Sequence, residues 1–292
     1  MLIICFGVLI GAFLGYRTGD QDILIIASGT GGAIAGFIGA QVSLFLKQMN
    51  RIFFLFFLVY CFSFSRIALQ TSSALEKSSF TKMVLVPAGP YLSGSDKFVD
   101  ERPSGNIYLD VFFIDRFEVT QKEFKKVMNV NPSEFRGENL PVDRVDWYQA
   151  RDYCNKSGKR LPTEAEWEKS ARYGSESQYY WGEEADDSYA WHWDNSDRKT
   201  HPVGEKKPNK LGLYDIAGNV WEWTVDWYDQ NYYQNRSPSN PKSPFNGKHR
   251  VLRGGSFMDK ADGLRVTRRN WDLPSSKFKN FGFRCARSQK NR

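Results

Sequence analysis

Two carboxylates bracket a glycine-containing loop, and this pattern in the chain could hold a metal ion. The segment reads Asp215-Ile-Ala-Gly-Asn-Val-Trp-Glu222. Hard cations such as calcium take oxygen ligands, both from carboxylates and from backbone carbonyls. The two carboxylates converge only if the backbone between them folds back, which Gly218 permits. Alternatively, both carboxylates accept hydrogen bonds from backbone groups while the neighbouring tryptophans pack in the core.

The cysteines and histidines restrict the other chemistry open to the chain. The cysteines are Cys5, Cys61, Cys154 and Cys285. Residues 155–284 contain none, so no thiol nucleophile or thiolate metal site lies in that stretch. The three histidines lack the close helical spacing of a zinc pair, and no P-loop, HExxH, CxxC or GxSxG motif occurs.

The net charge of +7 lies mostly beyond residue 75, where carboxylates are interspersed with the basic residues. That mixture is typical of a solvated basic surface, so nucleic-acid binding is not the expected function. Four arginines gather late in the chain, namely Arg253, Arg265, Arg268 and Arg269. Their forked side chains bind carboxylates well, so they predict either a site for a peptide or small acid, or structural ion pairs.

Residues 1–75 form a separate hydrophobic region with six charged side chains. Its apolar runs, Leu2–Gly15, Ile23–Leu46 and Ile52–Leu69, predict up to three membrane segments. The basic residues before the third run favour the cytoplasmic side, which sends the following domain outward. Alternatively, a signal peptide begins near Met49. Both interpretations predict a protein of the cell membrane whose soluble domain is periplasmic or extracellular.

The polar part of the chain predicts an α+β domain. Helices are expected from Thr120 and from Thr163, because these residues form capping boxes with Glu123 and Glu166. A helix over Asp146–Ser157 is expected from the helical spacing of Trp147, Ala150 and Cys154. Long loops packed on their own aromatics are expected after Gly174. Strands are predicted at Phe80–Gly94, Asn106–Glu118, Val220–Asp226, Val251–Phe257 and Gly282–Ala286.

Two sets of side chains recur at every second position. Glu164, Glu166 and Glu168 lie on the third predicted helix, where we expect solvated or capping groups and not a glycosidase pair. Trp221 and Trp223 lie on a predicted strand, where we expect one to face the core and the other a groove.

Four segments occur in an order that resembles the formylglycine-generating enzyme family, also called sulfatase-modifying factors. They are Gly158-Lys-Arg-Leu-Pro-Thr-Glu-Ala-Glu-Trp167, Gly212-Leu-Tyr-Asp-Ile-Ala-Gly-Asn-Val-Trp-Glu-Trp223, Arg253-Gly-Gly-Ser-Phe257 and Gly282-Phe-Arg-Cys285. The resemblance implies the family's variant of the C-type-lectin-like fold over residues 80–288. It also implies a disulfide between Cys154 and Cys285, with two separate buried thiols as the alternative.

The same resemblance assigns ligands for calcium. They are the Asp215 and Glu222 side chains with the carbonyl oxygens of Gly218 and Val220. A second, weaker site is implied around Asn195. Glu118 matches an acidic family position near the polar centre of the domain, although it also precedes a helix and could be a carboxylate favoured by the helix dipole.

Family members that oxidise a sulfatase cysteine hold copper(I) with two cysteines that follow the Gly-Gly-Ser segment. Here those places fall on Asp259 and Leu264. Leucine has no ligand atom and aspartate is a hard donor, whereas copper(I) prefers thiolate. We therefore expect neither copper nor formylglycine generation. Ser256, Trp221, Arg265 and Arg268 remain as candidates to line a pocket.

These features predict an exported, membrane-tethered, calcium-stabilised binding or accessory module. Its expected partners are the membrane, through the N-terminal region, and an exported protein or peptide. The alternative is an oxidoreductase or protein-maturation enzyme of the same superfamily that uses different active-site residues.

Overall fold

The structure, a computed structural model, describes residues 82–289. Its strands are β1 (Met83–Val86), β2 (Gly89–Ser93), β3 (Gly105–Leu109), β4 (Phe112–Asp115), β5 (Trp221–Trp227), β6 (Arg250–Arg253), β7 (Arg269–Asp272), β8 (Phe281–Gly282) and β9 (Ala286–Ser288). Its helices are α1 (Gln121–Met128), α2 (Trp147–Lys156), α3 (Glu164–Arg172), α4 (Tyr232–Asn235) and a 3-10 turn at Ala261–Leu264. The mixed α+β class agrees with the prediction.

The first two predicted strand regions each divide into two strands. β1 pairs with β4 in one sheet, and β2 pairs with β3 in another. The break falls at Pro87 on one side and at 110–111 on the other, because proline has no N–H to donate to the ladder. Val86 pairs with Phe112 at the end of the β1–β4 pair, whereas Gly89 pairs with Leu109 at the start of the β2–β3 pair. Both chain segments therefore pass from one sheet to the other at the same level.

Three sheets make up the strand framework of the described residues. Their strand orders are β1-β4-β9, β2-β3 and β7-β6-β5-β8. In the four-stranded sheet β5 and β6 are central, and only the β5–β8 pair is parallel. The late strands β5, β6 and β8 therefore bring three of the four family-like segments side by side.

All three longer helices begin at a capping box. Thr120, Asp146 and Thr163 each accept a hydrogen bond from the backbone N–H three residues later, and that residue's side chain returns a bond to the cap. The predicted starts of α1 and α3 are therefore confirmed. The second of two hydrophobic clusters, around Trp223, packs α1 and α2 against β5 and β8.

A disulfide joins Cys154 on α2 to Cys285 before β9, as predicted, with the two Cα atoms 5.7 Å apart. Both residues are fully buried in the Trp223 cluster. The bridge closes a loop of 131 residues, so it links the helical half of the domain to its last strand.

The predicted membrane segments and signal peptide in residues 1–75 lie outside the described residues. Within residues 82–289, no helix has the length and apolar character needed to cross a bilayer.

Candidate functional site

The loop predicted to bind calcium, residues 215–222, lies around the buried side chain of Arg284. Arg284 donates from Nε to both oxygens of Glu222, at 2.9 and 2.7 Å, and from Nη2 to one of them at 2.7 Å. The Trp167 indole N–H donates to the same carboxylate at 2.8 Å. Glu222 and Arg284 are both buried, so this ion pair is shielded from water.

Two further buried carboxylates lie at this loop. Asp215 accepts a 2.7 Å bond from the Gly204 N–H, and burial raises its pKa to about 6. Glu118 accepts from the Asn219 amide at 2.7 Å and from the Val220 N–H at 3.1 Å. Burial, with the charges of Asp215 and Glu222, raises the pKa of Glu118 well above its usual range. Glu118 thus belongs to the loop and not to the start of α1.

The loop meets some of the requirements of a calcium site. Its backbone folds back through positive φ angles at Asp215, Gly218 and Asn219, and a Cβ at Gly218 would overlap the Trp191 carbonyl oxygen. Three carboxyl groups lie around one guanidinium, and a bound cation would favour the ionised forms of Asp215 and Glu118, whose pKa values burial raises. Residues 82–289 contain no cluster of three or more side-chain ligands arranged for a metal. An ion here would therefore need backbone carbonyls and would share Glu222 with Arg284.

Asn195, the residue predicted for a second calcium site, uses its side chain for hydrogen bonds within its own turn. Asn195 accepts a 2.8 Å bond from the His192 N–H through Oδ1 and donates to the Ala190 carbonyl at 2.9 Å through Nδ2. Both ends of the amide therefore hold a local turn together.

A second polar cluster forms around Ser256 and Asp259, after β6. Ser256 Oγ donates to Asp259 Oδ2 at 2.6 Å and accepts from the Met258 N–H at 3.2 Å and the Asn280 amide at 3.1 Å. The Trp221 indole lies near the Asp259 carboxylate and helps to lower its pKa. Ser256 is fully buried, whereas Asp259 is half-buried. We call these four side chains, Ser256, Asp259, Trp221 and Asn280, the Asp259 site.

The two positions that the resemblance assigns to copper-binding cysteines differ in environment. Burial raises the pKa of Asp259, while the hydrogen bond from Ser256 and the nearby Trp221 indole oppose that rise. Leu264 is buried in the hydrophobic core and lies where a Cβ on Gly255 would touch it. The site therefore offers a carboxylate, a hydroxyl, an amide and an indole, which together are suited to hydrogen bonding and not to binding a soft metal.

Sequence reasoning missed Asn280. It precedes the Gly-Phe-Arg-Cys segment, and its carbonyl accepts from the Trp221 N–H at 2.8 Å while its side chain reaches Ser256. No pattern around an isolated asparagine marks it, because the contact arises only when β8 pairs with β5.

Of the four late arginines, three are structural. Arg265 donates to both oxygens of Glu101, at 2.9 and 3.0 Å, so its guanidinium group is already paired within the protein. Arg253 donates to three backbone carbonyls, and Arg269 pairs with Glu164 at 2.7 and 3.0 Å. Arg268 is exposed, and its charge lowers the pKa of Asp259, so it remains a pocket candidate.

The expected solvation of the α3 glutamates is wrong. Glu164 pairs with Arg269, and Glu168 pairs with Arg172 at 3.1 Å, while both carboxylates are buried. Glu166 forms the capping box, as expected. Because α3 lies between β2 and the four-stranded sheet, all of its faces are covered and the charges must find partners inside.

The expected division between Trp221 and Trp223 is also wrong. Residues two apart on a strand point to the same face. Both rings lie in the same hydrophobic cluster, 3% and 0% exposed. They differ at their polar atoms, because the Trp223 indole donates to the Val145 carbonyl while that of Trp221 reaches Asp259.

Similarity to known proteins indicates the family of the domain. Residues 69–289 match the sulfatase-modifying factor enzyme 1-like domain. The formylglycine-generating enzyme of Bos taurus is 32% identical over 279 residues, covering 70% of this chain and 74% of that protein. The serine/threonine-protein kinase pkn1 of Chlamydia caviae is 36% identical over 241 residues, covering 72% of this chain but only 38% of the kinase.

A solved structure, Treponema denticola variable protein 1, superposes with a TM-score of 0.66 and 32% identity. It covers 71% of this chain and 95% of that protein. The matched domain, the two aligned relatives and this shared fold together establish that the chain belongs to the formylglycine-generating enzyme family of sulfatase-modifying factor domains.

Proposed function

We propose that the protein is an exported, membrane-tethered binding or accessory module that uses the Asp259 site for a ligand and does not generate formylglycine. The observation that carries this proposal is the Asp259 site itself. A carboxylate, held by a hydrogen bond from Ser256, occupies the position to which the family resemblance assigns a copper-binding cysteine. Copper(I) prefers thiolate ligands to hard oxygen donors, so this carboxylate does not replace a cysteine as a copper(I) ligand.

The hydroxyl at this site is suited to binding and not to attack. Ser256 Oγ makes three hydrogen bonds and is fully buried, so its lone pairs and its proton are already engaged. The half-buried Asp259 and the exposed Arg268 offer opposite charges to a ligand at the mouth of the site. A peptide segment with paired polar groups matches that arrangement.

An accessory role is supported by how the domain occurs in a relative. The chain spans about two fifths of the pkn1 kinase of Chlamydia caviae, so there the domain is one portion of a longer protein. Export is supported by the buried disulfide, because disulfides persist in oxidising compartments. The apolar character of residues 1–75 supports the membrane tether.

We expect the full chain to produce no aldehyde on a Cys-x-Pro-x-Arg peptide, with or without added copper, because the thiolate ligands are absent. Mass spectrometry of the peptide measures this, with the bovine relative as the active control. A matched variant, Asp259→Cys with Leu264→Cys, should gain copper(I) binding while the wild type shows none. Copper-dependent aldehyde from the wild type would overturn the proposal.

We also propose that calcium binds the Asp215 loop and stabilises the domain. At a calcium concentration ~100 times the dissociation constant, binding adds about 2.7 kcal/mol to the free energy of unfolding. The melting temperature should therefore fall when a chelator is added. Asp215→Ala should reduce this response and leaves the Glu222–Arg284 pair in place. A wild-type melting temperature that is equal in calcium and in chelator rules out the ion.

One observation favours an enzyme as the second candidate. Burial raises the pKa of Asp259, and perturbed carboxylates recur at catalytic sites. Such an enzyme would use Asp259 as an acid or base and not as a copper ligand. Oxygen consumption or chemical change of a peptide by the wild type, lost in Asp259→Asn, would establish this candidate in place of the binding module.

A further inference from the structure

A loop between α4 and β6 carries a phenylalanine that the domain leaves entirely uncovered. Phe245 is 100% exposed, the highest value among the large apolar residues of the described chain. Lys242 and Lys248 flank it. Neither lysine forms an ion pair with a residue in the range 82–289. The tip therefore presents an aromatic ring between two free cations.

The base of this loop is anchored. The Trp227 N–H donates to Ser243 Oγ at 2.8 Å. Gly247 lies against the Trp227 ring so closely that a Cβ there would come within 2.8 Å of it. Phe245 thus stands between two fixed points, and ordering the tip at a partner costs less entropy than ordering a free loop.

The anchor continues into a surface of aromatic rings and cations. The Arg250 guanidinium lies between Trp227 and Trp147, 3.3 and 3.8 Å from their ring centroids. His249 contacts Trp271, which is 44% exposed, with the ring centroids 4.4 Å apart. The Phe245 surface, as we call it, comprises Lys242, Phe245, Lys248, His249, Arg250 and Trp271.

We propose that the Phe245 surface docks onto an anionic lipid bilayer. Free lysines are attracted to the negative headgroup layer. An exposed tryptophan ring such as that of Trp271 is amphipathic, and such rings reside at the depth of the headgroups. An uncovered phenylalanine gains by entering the acyl boundary. This contact lies on the folded domain, so it does not depend on the ligand proposed for the Asp259 site.

Two carboxylates border this surface and are tied to their own loops. Asp229 accepts from the Asn231 N–H at 2.8 Å. Asp272 accepts from the Leu273 N–H at 2.7 Å and the Ser276 hydroxyl at 2.6 Å. Both carboxylates are therefore engaged within their own loops. The charged residues closest to Phe245 in sequence are Lys242 and Lys248.

Hydrogen–deuterium exchange of the full chain tests this docking. The protein is mixed with vesicles of phosphatidylcholine alone or with about 30 mol % phosphatidylglycerol, the anionic component. We expect amides in 241–250 to exchange about tenfold more slowly with the anionic vesicles, which corresponds to partial burial of one phenylalanine. Added salt should weaken the protection because exposed charges are screened.

Matched variants separate docking from other effects. Phe245→Ser, and Lys242→Glu with Lys248→Glu, should each lose the slowed exchange. Val130→Ser removes a different exposed apolar side chain, 51% exposed, and should keep it. Equal exchange of 241–250 in neutral and anionic vesicles, or full protection in Phe245→Ser, would overturn the proposal and leave a protein partner as the use of this surface.

Discussion

Replacing Arg284 with methionine is expected to lower the free energy of unfolding by about 3–5 kcal/mol, the cost of leaving a buried charge without its partner. Arg284 is the cation that neutralises Glu222, and both side chains are buried. Its Nη2 also donates to the Tyr214 and Asp215 carbonyls at 2.9 and 3.1 Å. Urea denaturation of the wild type and the variant at neutral pH measures the difference.

A partly exposed ion pair provides the control. Arg160 pairs with Glu166 at 2.6 Å, but its side chain is 35% exposed, so Arg160→Met should cost about 1 kcal/mol or less. Adding Glu222→Leu to Arg284→Met should recover part of the loss, because the stranded charge is then removed. A loss below about 1 kcal/mol for Arg284→Met alone would contradict the importance of the pair.

Removing the disulfide with Cys154→Ala and Cys285→Ala is expected to cost about 4–5 kcal/mol. The bridge closes a loop of 131 residues, and a loop of that length restricts the unfolded chain strongly. Both cysteines are also fully buried, so the double variant leaves a small space in the Trp223 cluster. Denaturant unfolding under non-reducing conditions measures the loss.

Thiol labelling checks the bridge directly. In unfolded, unreduced protein from the oxidising compartment, Cys154 and Cys285 should resist the reagent, and both should react after reduction. A single variant, Cys154→Ala or Cys285→Ala, leaves the other cysteine unpaired, so that thiol should react without reduction. Full labelling without reductant would show that the thiols are free and would weaken the argument for export.

Local sequence was sufficient for the helix starts. Thr120 and Thr163 lie three residues before Glu123 and Glu166, and a capping box involves only residues within one helical turn. The division of the early strands was not predicted in the same way. Pro87 could be recognised as a weak point of a strand, but the matching break at 110–111 depends on which strand pairs with it.

The family resemblance of four sequence segments implied the disulfide between Cys154 and Cys285 and the region of the Asp259 site. Tertiary structure decided what those residues do. The Glu222–Arg284 pair joins residues 62 apart, and the Arg265–Glu101 pair joins residues 164 apart. Such pairings depend on strand order and burial, which no local pattern encodes. The same physical reason explains why Asn280 reaches Ser256 and why the α3 glutamates are buried.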